Sequence, residues 1–122
     1  MNSGPAARET FSRGDRLRKR REFEECYASG VRVSGRFLQF FLRPSPGDCR
    51  LGISVPRRVG GAVTRNRVRR RLREIFRRNR DLFAGRPACL VVHARPAASR
   101  ASFAELSEEY RRSVARGLAR GR

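Results

Sequence analysis

One stretch constrains this chain more than any other: Thr64-Arg65-Asn66-Arg67-Val68-Arg69-Arg70-Arg71-Leu72-Arg73-Glu74-Ile75-Phe76-Arg77-Arg78-Asn79-Arg80. Set at about 100° per residue, Val68, Leu72, Ile75, Phe76 and Asn79 fall in one sector. That spacing predicts a helix from Arg65 to about Asn79, with Thr64 as its N-cap and an apolar stripe that must pack on a sheet. Asn66, Arg69, Arg70, Arg73 and Arg77 share a neighbouring sector, and Glu74 is the only acid within the helix. A solvated charged face usually mixes both signs, whereas these cations repel one another unless an anion lies against them. The face therefore reads as a phosphate-binding surface. Arg65, Asn66 and Arg67 fall in the expected first turn, where unpaired N–H groups and the positive helix end favour phosphate oxygens. Asn66 can accept as well as donate, so it can read a sugar or base edge. Gly60-Gly61 just upstream lets a nucleic-acid backbone approach without a side-chain clash.

The rest of the chain supplies the sheet. Leu17, Phe23, Cys26 and Tyr27 include helical spacing, and Gly30 ends a helix read over Arg20 to Ser29. Val31 to Val33 form a short strand before the Ser34-Gly35 break. In the next strand Phe37, Gln39 and Phe41 alternate with Leu38, Phe40 and Leu42, so both faces need cover. Pro44 to Asp48 read as a turn, and the strand after it, ending at Pro56, is expected to complete a hairpin. Residues between Pro87 and Pro96 form a buried strand. A last helix over Ser102 to Arg116 starts with a Ser-x-x-Glu capping box at Ser102 and Glu105, and the GLARGR tail is expected to fray. The order is α-β-β-β-α-β-α, a single α+β domain.

Thirty Lys and Arg against eleven Asp and Glu give a net charge of +19 in 122 residues, far more than solubility needs, so a polyanionic partner is expected. A hydrophobic content of 39% with eight Phe excludes full disorder. All but Lys19 of the cations are Arg, a choice that a GC-rich genome explains as well as function does. Cys26, Cys49 and Cys89 lack zinc spacing and do not suggest a disulfide framework, so a reducing cytoplasm is expected. The apolar runs FLQFFL and ACLVV are far shorter than the ~18 residues of a membrane span, and no membrane role is expected. Met1 to Asp15, rich in Gly, Ser, Ala and charge, reads as a flexible extension.

The segments Arg65-Asn66-Arg67-Val68-Arg69-Arg70, Arg73-Glu74 and Phe76-Arg77 resemble the RNR signature of the bacterial ribonuclease P protein component, with Arg where Lys is common at 69. Three further segments agree in order and spacing: Arg20 to Tyr27, Arg50-Leu51-Gly52-Ile53-Ser54-Val55, and Val91-Val92-His93-Ala94-Arg95-Pro96. Together they cover about residues 16 to 116, which sets the domain at 16–117, with 118–122 as a frayed basic tail. Pro56 departs from the small residues usual before Arg57-Arg58. The resemblance implies a four-stranded sheet packed by helices, similar to the second domain of ribosomal protein S5, with a left-handed βαβ crossover. It further implies a cytoplasmic subunit that binds a catalytic RNA and the 5′ leader of precursor tRNA. The RNA holds the Mg²⁺ ions and performs the hydrolysis, and no small-molecule substrate is involved.

Carried onto this sequence, the resemblance assigns Arg65, Asn66, Arg67, Arg69, Arg70, Arg73 and Arg77 to the RNA subunit. It assigns Phe23, Tyr27, Arg36, Phe37, Phe41 and Arg57 to a leader cleft between the first helix and the sheet. Aromatic faces stack on bases of any sequence, so this cleft should be sequence-tolerant. No protein residue is expected to be catalytic or to bind metal. Asp15, Asp48 and Asp81 are isolated, and His93 sits in an apolar strand as a structural residue. A ribosomal RNA-binding protein would share the charge and the basic helix, but not the four ordered segments. A helix-turn-helix DNA-binding protein would need a partner helix where strand residues and Gly60-Gly61 stand.

Overall fold

Residues 20–45 and 49–120 are described by the computed structural model of the chain. The expected extension over 1–15, Leu17, the middle of the Pro44–Asp48 turn and residues 121–122 lie outside them. Helix α1 (Arg20–Ser29) leads into strands β1 (Val31–Ser34), β2 (Leu38–Pro44) and β3 (Arg50–Ser54). Helix α2 (Ala62–Arg78), strand β4 (Ala88–Ala94) and helix α3 (Phe103–Arg120) follow. Short 3₁₀ turns lie at Arg57–Val59, Arg80–Phe83 and Pro96–Arg100. Gly30 closes α1: its N–H bonds the Cys26 carbonyl at 2.9 Å, and a β-carbon there would stand 2.4 Å from that oxygen.

The sheet order is β1-β2-β4-β3. The pairs β1–β2 and β2–β4 are antiparallel, and β3 runs parallel to β4 through the α2 crossover. The expected β2–β3 hairpin does not form, because β4 lies between them. Six of the seven β4 residues are buried and only His93 is half-buried, so this strand is apolar on both faces and needs a neighbour on each side. At the end of β2 the Ser45 N–H bonds the Pro87 carbonyl, just before β4, at 3.1 Å.

One sheet face carries Leu38, Phe40, Leu42, Leu51, Leu90 and Val92. It packs against Val68, Leu72, Ile75 and Phe76 of α2 and Leu106, Tyr110 and Val114 of α3. The opposite face carries Phe41, Cys89 and Val91 under Cys26 and Phe23 of α1. Phe37 is not on that face with Phe41: it precedes β2 and joins the α2–α3 core. The cause is Glu109 of α3, whose carboxylate accepts the N–H groups of Arg36, Phe37 and Leu38 at 2.8, 2.9 and 2.8 Å. The chain bends around that carboxylate before the strand begins.

Two helix ends also differ from expectation. Helix α2 starts at Ala62, with Gly61 rather than Thr64 as N-cap. Gly60, at φ 156°, turns the chain there. Helix α3 continues to Arg120 instead of fraying after Arg116, because Gly117 lets the last turns lie against Leu42 and Val33. Its N-terminus has the expected capping box. The Glu105 N–H donates to Ser102 Oγ at 3.0 Å, and the Ser102 N–H to Glu105 Oε1 at 2.8 Å.

Candidate nucleic-acid interface

Helix α2 buries the stripe that the sequence marks, Val68, Leu72, Ile75 and Phe76, together with Asn79. The earlier helix start moves the basic motif. The Arg65 N–H already bonds the Gly61 carbonyl at 2.9 Å, so the unpaired first-turn N–H groups belong to Ala62, Val63 and Thr64. Arg65, Asn66 and Arg67 therefore lie past the unpaired helix end and offer only their side chains.

Those side chains have different tasks. Arg67 turns inward, with Nη2 donating to the Ser99 carbonyl at 3.0 Å, and Arg71 one turn on donates to the Ala101 carbonyl at 3.0 Å. Both arginines strap α2 to the Pro96–Arg100 turn. Arg65 Nε donates to the Gly60 carbonyl at 3.0 Å. Arg77 and Arg78 both bond Glu74, and these two hydrogen bonds, Arg77 first, hold its carboxyl down at about 2. Arg69 Nη1 donates to Asn66 Oδ1 at 3.0 Å. Asn66 and Arg70 are exposed, and Arg69 and Arg73 half-exposed. Replacing Arg67 with Ala is expected to destabilise the domain by ~1–2 kcal/mol through the lost strap. Replacing Arg70 should leave stability within about 0.5 kcal/mol. Urea unfolding of the two variants checks both.

The second surface is on the other side of the sheet. Tyr27 meets the Phe41 ring edge-on, with centroids 4.7 Å apart and planes at 78°. It stays 41% exposed, whereas Phe41 is 8% exposed, so Tyr27 offers a face to solvent and Phe41 forms the floor. Phe23 is half-buried against the same cluster. Arg50–Glu22 at 2.8 Å and Arg43–Glu25 at 3.5 Å pin α1 over the sheet. Cys26 Sγ lies 3.1 Å from the Phe41 carbonyl, and burial pushes its thiol up to about 11, so it packs as a small apolar group. Arg36 is exposed with its guanidinium 5.1 Å over the Phe37 ring. Arg57 is exposed in the turn after β3. Of the six residues assigned to the cleft, Phe23, Tyr27 and Phe41 come together, Arg36 and Arg57 sit at strand ends, and Phe37 belongs to the core.

Residues 11–117 match the ribonuclease P family model. The chain belongs to this family. A ribonuclease P protein component from Acidothermus cellulolyticus is 43% identical over 104 residues, which span 83% of this chain and 86% of that protein. The Thermotoga maritima ribonuclease P protein superposes with a TM-score of 0.74 at 33% identity, covering 83% of this chain and 96% of that one. A Staphylococcus aureus ribonuclease P protein mutant, described as defective in mRNA degradation activity, gives a TM-score of 0.67 at 26% identity over 87% and 86% of the two chains. The chain is thus a ribonuclease P protein component of the bacterial type, and no described helix is long and apolar enough to cross a membrane.

Sequence reasoning missed a polar row on the Phe41 face of the sheet of this ribonuclease P protein. Ser34, Gln39, His93 and Ser54 stand at one level across all four strands, beside the row that holds Phe41. The alternation that put Gln39 with Phe41 was the available signal, and the strand order needed to align the other three was not. Val63, 82% exposed in the first turn of α2, was also unforeseen, since the helix was read as starting after it.

Proposed function

We propose that this protein assembles with the catalytic RNA of ribonuclease P and holds the 5′ leader of precursor tRNA, while the RNA removes that leader. One observation carries the reading: a single sheet has a cation-rich helix on one face and an aromatic cluster with an exposed tyrosine on the other. The α2 surface of Asn66, Arg69, Arg70 and Arg73, with Arg65 and Arg77 at its ends, supplies charge for a folded RNA backbone. Arg67 contributes by holding α2 in place. The cleft of Tyr27, Phe23 and Phe41 suits unpaired leader bases, with Arg36 and Arg57 available to phosphates.

The Mg²⁺ ions of the reaction are assigned to the RNA subunit. Among the described residues no group of three or more His, Cys, Asp or Glu side chains could hold a metal ion. Their proposed holder is the RNA subunit, and the protein's part is to offset phosphate repulsion between that RNA and the substrate. Nuclease-free protein with Mg²⁺ is expected to leave precursor tRNA intact, yet to lower the Mg²⁺ concentration at which the catalytic RNA cleaves. Cleavage at the mature 5′ end by protein alone would overturn the assignment of catalysis. General degradation of an mRNA in the same assay would instead favour the activity named for the Staphylococcus aureus protein.

A further inference from the structure

The polar row on the cleft floor is continuous. Ser34 pairs with Gln39, Gln39 with His93, and His93 with Ser54. Each lies two residues along its strand from the row of Arg32, Phe41, Val91 and Gly52, and therefore on the same face. Gln39 Nε2 donates to Ser34 Oγ at 3.4 Å, and His93 Nδ1 lies 3.1 Å from Ser54 Oγ. His93 Nε2 has no hydrogen-bond partner among the described residues. The ring is half-buried, so it is neither a core residue nor a freely solvated one.

Given the cleft as an RNA groove, on which this rests, we propose that the row is a phosphate-binding step at the end of the aromatic floor, where His93 takes up a proton as a single strand crosses it. The neighbours explain why proton uptake would accompany binding. Strand β1 brings only Ser34 to the row, β2 only Gln39 and β3 only Ser54, all neutral. The charged groups acting on the ring are Arg58, from the turn after β3, and Arg95, from the end of β4. Burial first, then these two cations, hold the imidazole below its ordinary value of 6.5. A phosphodiester laid across the row offsets both guanidinium charges and favours the imidazolium, with Nε2–H as donor. The sign follows: His93 titrates higher in the complex than in the free protein, so RNA binds more tightly as pH falls through that range.

His93 is the only histidine in the chain, so its imidazole Hε1 resonance reports the titration without ambiguity. The test follows that resonance against pH in the whole protein, alone and saturated with a hexauridylate lacking terminal phosphates. The midpoint is expected about one pH unit higher with RNA, with binding up to about tenfold tighter near pH 5.5 than near pH 8. In His93→Gln that pH dependence should vanish. A midpoint unmoved by RNA, while the Tyr27 ring signals shift, would overturn the proposal and leave the cleft reading standing. If neither Tyr27 nor His93 responds while RNA binds, both are withdrawn.

Discussion

Glu109→Gln is expected to destabilise the domain by about 3 kcal/mol, the largest effect of any single isosteric change here. The carboxylate is 3% exposed. Oε1 accepts the Arg36 N–H, while Oε2 accepts those of Phe37 and Leu38. An amide keeps one acceptor oxygen and puts an NH₂ group in place of the other. Whichever way the amide turns, a backbone N–H then faces a donor, either the part-buried one of Arg36 or the buried pair of Phe37 and Leu38, and the desolvation goes uncompensated. The chain has little freedom to relax, since a β-carbon on Gly35 would already stand 2.4 Å from the Glu109 carboxyl. Glu108→Gln, one residue away and 79% exposed beside Arg112, is the matched control and should change stability by less than about 0.5 kcal/mol. Urea midpoints of the two variants give the comparison. Equal midpoints would mean that Phe37 and β2 are held in place by packing alone.

Glu109 also shows where reading the sequence reaches its limit. Helix periodicity located α1 and the stripe of α2, and the Ser102–Glu105 capping box located the start of α3, because these signals are local. Helical spacing puts Glu109 beside Leu106 and Tyr110 and Glu108 on the far side, but it does not say that an acid is buried there, since that depends on which backbone donors the tertiary fold brings to it. The same limit explains the missed hairpin. Pro44 to Asp48 carry turn chemistry whether the next strand pairs with β2 or passes beyond β4, and only the two-sided burial of β4 decides between them. For the site, the Arg-rich face of α2 and the aromatic pair of α1 were legible, being spacings within one helix. The inward turn of Arg67 depends on Ser99, and the polar row depends on strand order, so neither could be read from spacing.

The two proposed RNA surfaces should therefore separate under mutation. Arg69 and Arg73 lie one turn apart on α2, beside its buried stripe. Replacing both with Ala is expected to weaken binding of the catalytic RNA while precursor and mature tRNA suffer alike. Changes on α1 should act differently. Tyr27→Leu keeps an apolar side chain against Phe41 but removes the flat ring of a residue that is 41% exposed. Phe23→Leu removes a second ring, half-buried against the cluster of Cys26, Phe41, Cys89 and Val91, so it carries a larger packing cost than Tyr27→Leu. With both replaced, assembly with the RNA subunit should persist. Affinity for a precursor with several leader nucleotides should fall by roughly 1–3 kcal/mol per lost stack, less whatever Leu retains. Mature tRNA, with no leader to lose, should bind as before. The measurement is holoenzyme affinity for one tRNA with and without its leader, for the double variant and for Tyr27→Leu alone. If Tyr27→Leu weakened both substrates equally, its ring would be supporting the fold rather than stacking on RNA, and leader binding would have to be placed elsewhere on the sheet.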